Sequence, residues 1–435
     1  MNKPIQKAET ILFLLYALLI GAFLAGILWI NFHPGQWYNY DIYADAMVAK
    51  YMVQSRSLFP EGWIFGNQLY TVATPVAAAI FYAVLKDTVL SMSLGACLMT
   101  VLTLGSFLWC VGPFMGKRGR PVALLCLVGG TIFGTNASSD PLGLQVFYTM
   151  ASYYSCYIIG IFLTLGVFLR IYGGKKLPMW IPVVALCLNF LLSMQSLREM
   201  LVLNIPLVSL GLLCVVGRRE KNSPTLRAFF FGVGALISGV MGFLFMKVLV
   251  VYLPISQTTI LASKQGSLLA DIKHNLKVLG QYVGLQAPGN DYGRMRLFGA
   301  AVCITMVLYG TVALLRKHRG EPLTLMLLYG WLSLGAVFCA GVLVIGTRPI
   351  YYFTWQILVA VSGGVVAEKV LSGGWKRLLF LLVLLGVGAS SLYCNFRYDL
   401  QNYAWRDRAC RGLARDDKQF SRSMVYGQTN FCQRL

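Results

Sequence analysis

The chain has 435 residues, 57% of them hydrophobic and only 12% charged, with 37 Lys and Arg against 16 Asp and Glu and a net charge of +21. A soluble domain of this size cannot bury so much apolar surface, so repeated membrane spans are expected. The excess of positive charge is confined to short connections between apolar runs, which argues against a nucleic-acid partner.

Apolar runs near the ~20 residues that a helical span requires occupy 11–30, 88–112, 121–134, 151–169, 179–195, 200–216, 228–250, 298–315, 323–345, 351–367 and 378–394. They are continuous rather than alternating, and lipid does not tolerate open sheet edges, so helices are favoured over a barrel. The expected fold is an all-α polytopic membrane protein with about eleven transmembrane helices across 1–394, followed by a short tail, 395–435. The first run is long, and no small-residue site closes it, unlike a cleaved signal peptide.

The N-terminus (Lys3, Lys7) and the connections 116–121, 170–177, 217–227, 315–321 and 368–377 hold 18 of the 37 Lys and Arg but only four of the 16 acids. The intervening connections near 135–150, 194–199 and 346–350 hold only Arg198 and Arg348. This alternation is the positive-inside pattern. It places the basic connections in the cytoplasm and the C-terminal tail outside; the N-terminus is cytoplasmic if 69–85 does not span, and outside if it does. With the N-terminus inside, the acids gather on the exoplasmic face, in 31–87, 135–150, 252–297 and the tail.

The first outer loop opens with "WYNYDIYADAMVAKYM", in which Asp41 and Asp45 stand four residues apart. On a helix they share a face, and like charges at that spacing repel, so a base, a metal or a substrate should compensate them. Ile42, Ala46, Ala49 and Val53 form a neighbouring apolar stripe, as in an amphipathic helix lying on the membrane. Further along, 69–85 is nearly long enough to span, yet Thr74-Pro75 and the small residues of 76–79 also permit an interfacial or re-entrant element.

Asp140 follows the third span in "FGTNASSDPLG", which contains a glycosylation sequon at Asn136, and Tyr153, Tyr154 and Tyr157 begin the next span. Arg198 and Glu199 sit at a tight hairpin between two spans, where charges are costly unless they face a cavity or the interface. The loop 252–297 carries Lys264, Asp271, Lys273, His274, Lys277 and Asp291. Arg348, suited to bidentate phosphate contact, precedes Tyr351 and Tyr352. Cys410 and Cys432 share the tail and are a possible disulfide pair. The sequence has no HExxH, P-loop or G-x-S-x-G motif. With three His in all, a His-rich metal site is not expected, and a carboxylate mechanism on the outer face is what remains.

The acidic first loop directly after span one resembles the GT-C integral-membrane glycosyltransferases, which include protein O-mannosyltransferases and aminoarabinose transferases. "DIYADAMVAKYM" and "SLFPEGWIFGNQLYTVATPV" are similar to that family's first exoplasmic loop, "LREMLVLNIP" to an Arg-containing hairpin, and "TRPIYYF" to an Arg-Tyr pair at a late span; the likeness runs to about residue 360. In this chain the Arg and Tyr are separated by Pro349-Ile350, and the first acid is not followed by Glu. The resemblance implies that 69–85 does not span and that the N-terminus is cytoplasmic. It also implies an inverting transferase that moves a sugar from a polyprenyl-phosphate donor to an envelope acceptor. Asp41 or Asp45 would be the general base. Asp140, Arg198, Glu199, Lys273, His274, Arg348, Tyr351 and Tyr352 would bind donor phosphate or substrate. A divalent metal at the carboxylates stays open, and no other cofactor is indicated. Expected partners are the lipid-linked sugar and membrane lipids. The rival reading is a transporter or lipid flippase for a lipid-linked glycan, and an inactive sugar-lipid binder is a third.

Overall fold

The computed structural model describes residues 3–32, 40–61, 63, 65, 69–130, 154–217, 223–253, 267–285, 291–318, 320–343, 349–371 and 374–393. The described elements are helical, with no extended strand among them. In chain order they are α1 (Lys3–Asn31), α2 (Tyr40–Ser55), α3 (Thr74–Leu85), α4 (Thr88–Val111), α5 (Gly119–Gly130) and α6 (Ser155–Tyr172). Then come α7 (Trp180–Gln195), α8 (Met200–Val216), α9 (Ser223–Leu249), α10 (Leu268–Val283), α11 (Asp291–Lys317) and α12 (Pro322–Leu343). After a 3₁₀ turn (Pro349–Tyr352), α13 (Trp355–Val365) runs on as a π-turn to Val370, and α14 (Gly374–Tyr393) closes the described chain.

Seven of these helices, α1, α4, α6, α9, α11, α12 and α14, are long and apolar enough to cross a membrane, the architecture of a multi-pass membrane protein. Four other expected spans correspond to shorter helices, α5, α7, α8 and α13. The surface fits lipid as solvent. Helix α9 exposes Phe230, Ile237, Met241, Leu244 and Val248, while Ala235, Gly239 and Gly242 are buried on its other face. At Gly242 an added Cβ would stand 2.2 Å from the Phe190 carbonyl oxygen, so the absence of a side chain is what lets α9 pack against α7.

Helix α3 settles beside α4. It begins with Thr74-Pro75, where the missing proline N–H costs nothing. It ends on Lys86 in the left-handed conformation (φ 58°), and Asp87 then caps α4 by accepting from the Leu90 N–H at 2.9 Å. Gly95 of α4 lies directly on the Ala78 backbone. Twelve residues give α3 a length of only about 18 Å, short of the ~30 Å apolar core.

The two ends of the bundle differ in chemistry. At one end the basic connections meet. Glu9 of α1 accepts from Arg377 Nε at 2.7 Å and pairs with Arg118 at 3.7 Å. Glu368 accepts from the Gly116 N–H at 2.7 Å. Glu321 pairs with Lys369 and lies 2.6 Å from His318 Nδ1. Arg170 stacks on Trp109, 3.7 Å from the ring centroid, and donates to the Trp109 carbonyl, while Lys175 lies over Phe114. Three of the four acids of these connections, Glu9, Glu321 and Glu368, thus tie the connections to one another. Glu9 and Arg377 are both buried, and removing one partner of a buried pair costs about 3–5 kcal/mol. Glu9→Ala should therefore lower the melting temperature of the purified protein markedly, whereas the exposed Lys117→Ala should leave it unchanged.

Candidate functional site

The opposite end carries a hairpin between α7 and α8 built from "QSLREMLVLNIP". Ser196 breaks α7 with extended backbone (φ −161°, ψ 147°), and its hydroxyl accepts from the Arg198 N–H at 3.3 Å. Helix α8 starts as a π-turn over Met200–Asn204. Proline explains part of this start. Pro206 has no N–H to give to the carbonyl four residues back, that of Val202. That carbonyl instead accepts from two hydroxyls of α12, Tyr329 at 2.7 Å and Ser333 at 2.8 Å. One turn below, Asn189 of α7 donates to Asn204 at 2.9 Å and to the Ala235 carbonyl, so α7, α8 and α9 are locked together beneath the hairpin.

Arg198 projects into a frame of aromatic rings drawn from distant parts of the chain. Its guanidinium carbon lies 4.8 Å from the centroid of Tyr154, 5.6 Å from Tyr157 and 5.3 Å from Tyr351. Ring faces attract the cation but do not satisfy its N–H groups. Its Nη1 is buried without a hydrogen-bond partner among the described residues. Such a nitrogen suits an acceptor oxygen of an anion, and arginine stays charged there.

Glu199 turns the other way, into the protein. It is fully buried beside Gly160, where an added Cβ would lie 3.3 Å from Glu199 Oε1 and 2.3 Å from Leu192. Neither carboxyl oxygen has a hydrogen-bond partner among the described residues, and burial pushes the carboxyl well above the usual carboxylate range. Among the described residues no carboxylate pairs with Arg198. The folded state binds a proton here that the unfolded chain releases near the ordinary glutamate pKa, so stability is greatest in acid and falls as pH rises toward the folded-state pKa. Glu199→Gln should match the wild type in acid and melt higher than it at neutral and alkaline pH, which a series of thermal melts across pH would show.

The first loop is pinned to this hairpin through Gln195. Its side-chain carbonyl accepts from the Thr71 N–H at 3.2 Å, and its backbone carbonyl accepts from the Leu69 N–H at 3.2 Å. The amide nitrogen reaches Tyr157 at 3.3 Å. Thr71 donates to the Leu191 carbonyl at 2.9 Å. Upstream, Phe65 packs edge to face with Phe59 and at a tilt against Tyr70, whose neighbour Thr71 is the residue held by Gln195. The far side is held by α10. Tyr352 donates to Asn275 Oδ1 at 3.2 Å, and Gln356 donates to the Tyr282 hydroxyl at 3.1 Å.

The structure thus brings together Arg198, Tyr351 and, in the same 3₁₀ turn, the buried Tyr352; Glu199 lies behind them. Asp45 is on α2, fully buried together with Ala46, Val48, Ala49 and Met52 on a helix packed against α3 and α4. The expected apolar stripe of α2 is thus covered at Ala46 and Ala49 by protein. Asp41 lies in the first turn of α2, and its side chain is outside the described residues, as are Asp140 and Arg348. Lys273 and His274 are exposed, whereas Asn275, Val278 and Tyr282 form the docked face of α10, so these two side chains do not join the frame. Sequence reasoning passed over Gln195, Asn275, Tyr282 and Gln356. A lone amide inside or beside an apolar run was the available signal. Among the described residues no three His, Cys, Asp or Glu side chains converge as a metal site. A metal at the Asp41 and Asp45 pair would involve the Asp41 side chain, which is outside the described residues. No protein-family model matches the chain, and no curated protein does.

Proposed function

We propose that the protein is an integral-membrane glycosyltransferase of the GT-C type, moving a sugar from a polyprenyl-phosphate donor to an acceptor outside the cell. The observation that carries this reading is the Arg198 frame. A guanidinium that, among the described residues, has no ion-pair partner and a buried Nη1 without a hydrogen bond stands among three tyrosine rings. The loop that bears Asp41 and Asp45 is anchored on the same hairpin through Gln195. The cation would take the donor phosphate and stabilise it as leaving group, the tyrosine faces would flank the sugar, and a first-loop Asp would take the proton of the acceptor hydroxyl. The acceptor oxygen bonds to the anomeric carbon as the bond to phosphate breaks, with inversion.

Orientation follows from the two ends. The end where Glu9, Glu321 and Glu368 tie basic connections together is the cytoplasmic one under the positive-inside rule. The Arg198 end then faces outward, where polyprenyl-linked sugars are met and nucleotide sugars are not. The shortness of α3 supports a first loop that stays on that side.

The test offers the purified protein, in nanodiscs with membrane acceptors restored, a polyprenyl-phosphate sugar and a nucleotide sugar in parallel. Transfer from the lipid-linked donor alone is expected. Transfer from the nucleotide sugar alone overturns the donor assignment. Binding of the lipid-linked donor with its movement across the bilayer, and no transfer, would replace the transferase by a flippase.

A further inference from the structure

Helix α10 has three sectors. Its docked face, Asn275, Val278 and Tyr282, is buried on the segment 352–356. Beside that face, Leu268, Ile272 and Leu276 follow one another at four-residue spacing with Leu269 next to them, and Leu268, Leu269 and Leu276 are 54–60% exposed. Lys273 and Lys277, also one turn apart, border this apolar sector on the side away from the docked face and are exposed. His274 and Gln281 complete the polar side. Water would not favour the apolar sector, and no protein element among the described residues covers its three exposed leucines.

We propose that α10 is an interfacial helix that seats its apolar sector in the acyl region of the leaflet at this end and holds anionic phospholipid headgroups with Lys273 and Lys277. Two observations favour lipid over a protein partner. The order of sectors around the helix, apolar, then lysine, then His274 with Gln281, matches the order of depth from acyl chain to headgroup to water. The charges of α10 are also sorted: Lys273 and Lys277 stand one turn apart beside the exposed leucines, while its one acid, Asp271, lies in the first turn, where the helix dipole favours it, on the side away from the two lysines. The proposal rests on the membrane architecture and not on the transfer chemistry.

The test uses the full chain in nanodiscs of phosphatidylcholine and phosphatidylglycerol in equal shares, with a fluorescent amino acid inserted in place of Leu276, or of His274 as control. One lipid at a time carries bromine in its acyl chains as a contact quencher. At 276 both brominated lipids should quench, brominated phosphatidylglycerol several-fold more strongly; at 274 neither should. Lys273→Gln with Lys277→Gln should keep the quenching and abolish the preference, and Arg at both positions should restore it. No quenching at 276 places the helix outside the bilayer and overturns the proposal. Equal quenching by the two lipids with the native lysines, or a preference that survives the glutamines, overturns the headgroup assignment. None of these readouts involves sugar transfer, so a failure here is distinct from a failure of the transferase reading.

Discussion

Asp41→Asn should abolish sugar transfer from a polyprenyl-phosphate donor, with a fall of about 10²–10⁴-fold, the usual contribution of a positioned general base. The amide keeps the shape of the carboxylate and cannot take the acceptor proton. Asp45→Asn should cost less. Its side chain is fully buried on α2, so it is suited to fixing the helix and its electrostatics rather than meeting an acceptor. The measurement is single-turnover transfer of a radiolabelled sugar by protein in nanodiscs, with donor binding and thermal melting recorded on the same preparations. Unchanged binding and melting with lost transfer would assign the chemistry to Asp41. Lost transfer in Asp45→Asn alone would exchange the two roles, and full activity in both variants would remove the pair from the mechanism.

Seven of the expected spans are helices long and apolar enough to cross a membrane, because long apolar runs carry their own signal. The alternation of charge was legible too, and its structural counterpart is the set of contacts from Glu9, Glu321 and Glu368 that joins the basic connections. What the runs do not encode is where a helix ends within them. Helix α7 ends and α8 begins where they do because the hairpin at Ser196 breaks the run between them.

The site was half legible. A charged pair between two apolar runs marks Arg198 and Glu199 as costly, and therefore as informative, but does not reveal that the two side chains part company. That depends on Gly160, which leaves room beside Glu199, and on tyrosines of α6 and the 3₁₀ turn before α13 that only tertiary packing brings to Arg198. Gln195 drew no attention for the same reason: its partner Thr71 is 124 residues away. Lys273 and His274 were weighed by charge alone. Their place is decided by helix phase, since Asn275, Val278 and Tyr282 supply the docked face and turn both side chains outward.

Arg198→Ala should weaken binding of the polyprenyl-phosphate sugar by about 10- to 100-fold, because a hydrogen bond to a charged group is worth roughly 1.5–3 kcal/mol. The loss should be larger at the phosphate than at the sugar, so a polyprenyl phosphate without sugar should show nearly the whole effect. Arg198→Lys should recover only part of it. An ammonium keeps the charge but has neither the planar edge that meets two oxygens nor the flat face that lies against Tyr154, Tyr157 and Tyr351. Tyr351→Leu separates the two contributions of the frame. It keeps an apolar wall and removes a ring face, so it should loosen the cation and weaken binding less than loss of the cation itself. Folding is controlled internally. Arg198 makes no ion pair among the described residues, so its removal should leave the melting temperature near that of the wild type. Calorimetric titration of polyprenyl phosphate into the nanodisc-embedded variants reads all of these quantities. Wild-type affinity in a stably folded Arg198→Ala protein would show that the phosphate is held elsewhere, and the tyrosine frame would then be a brace for the hairpin and not a binding site.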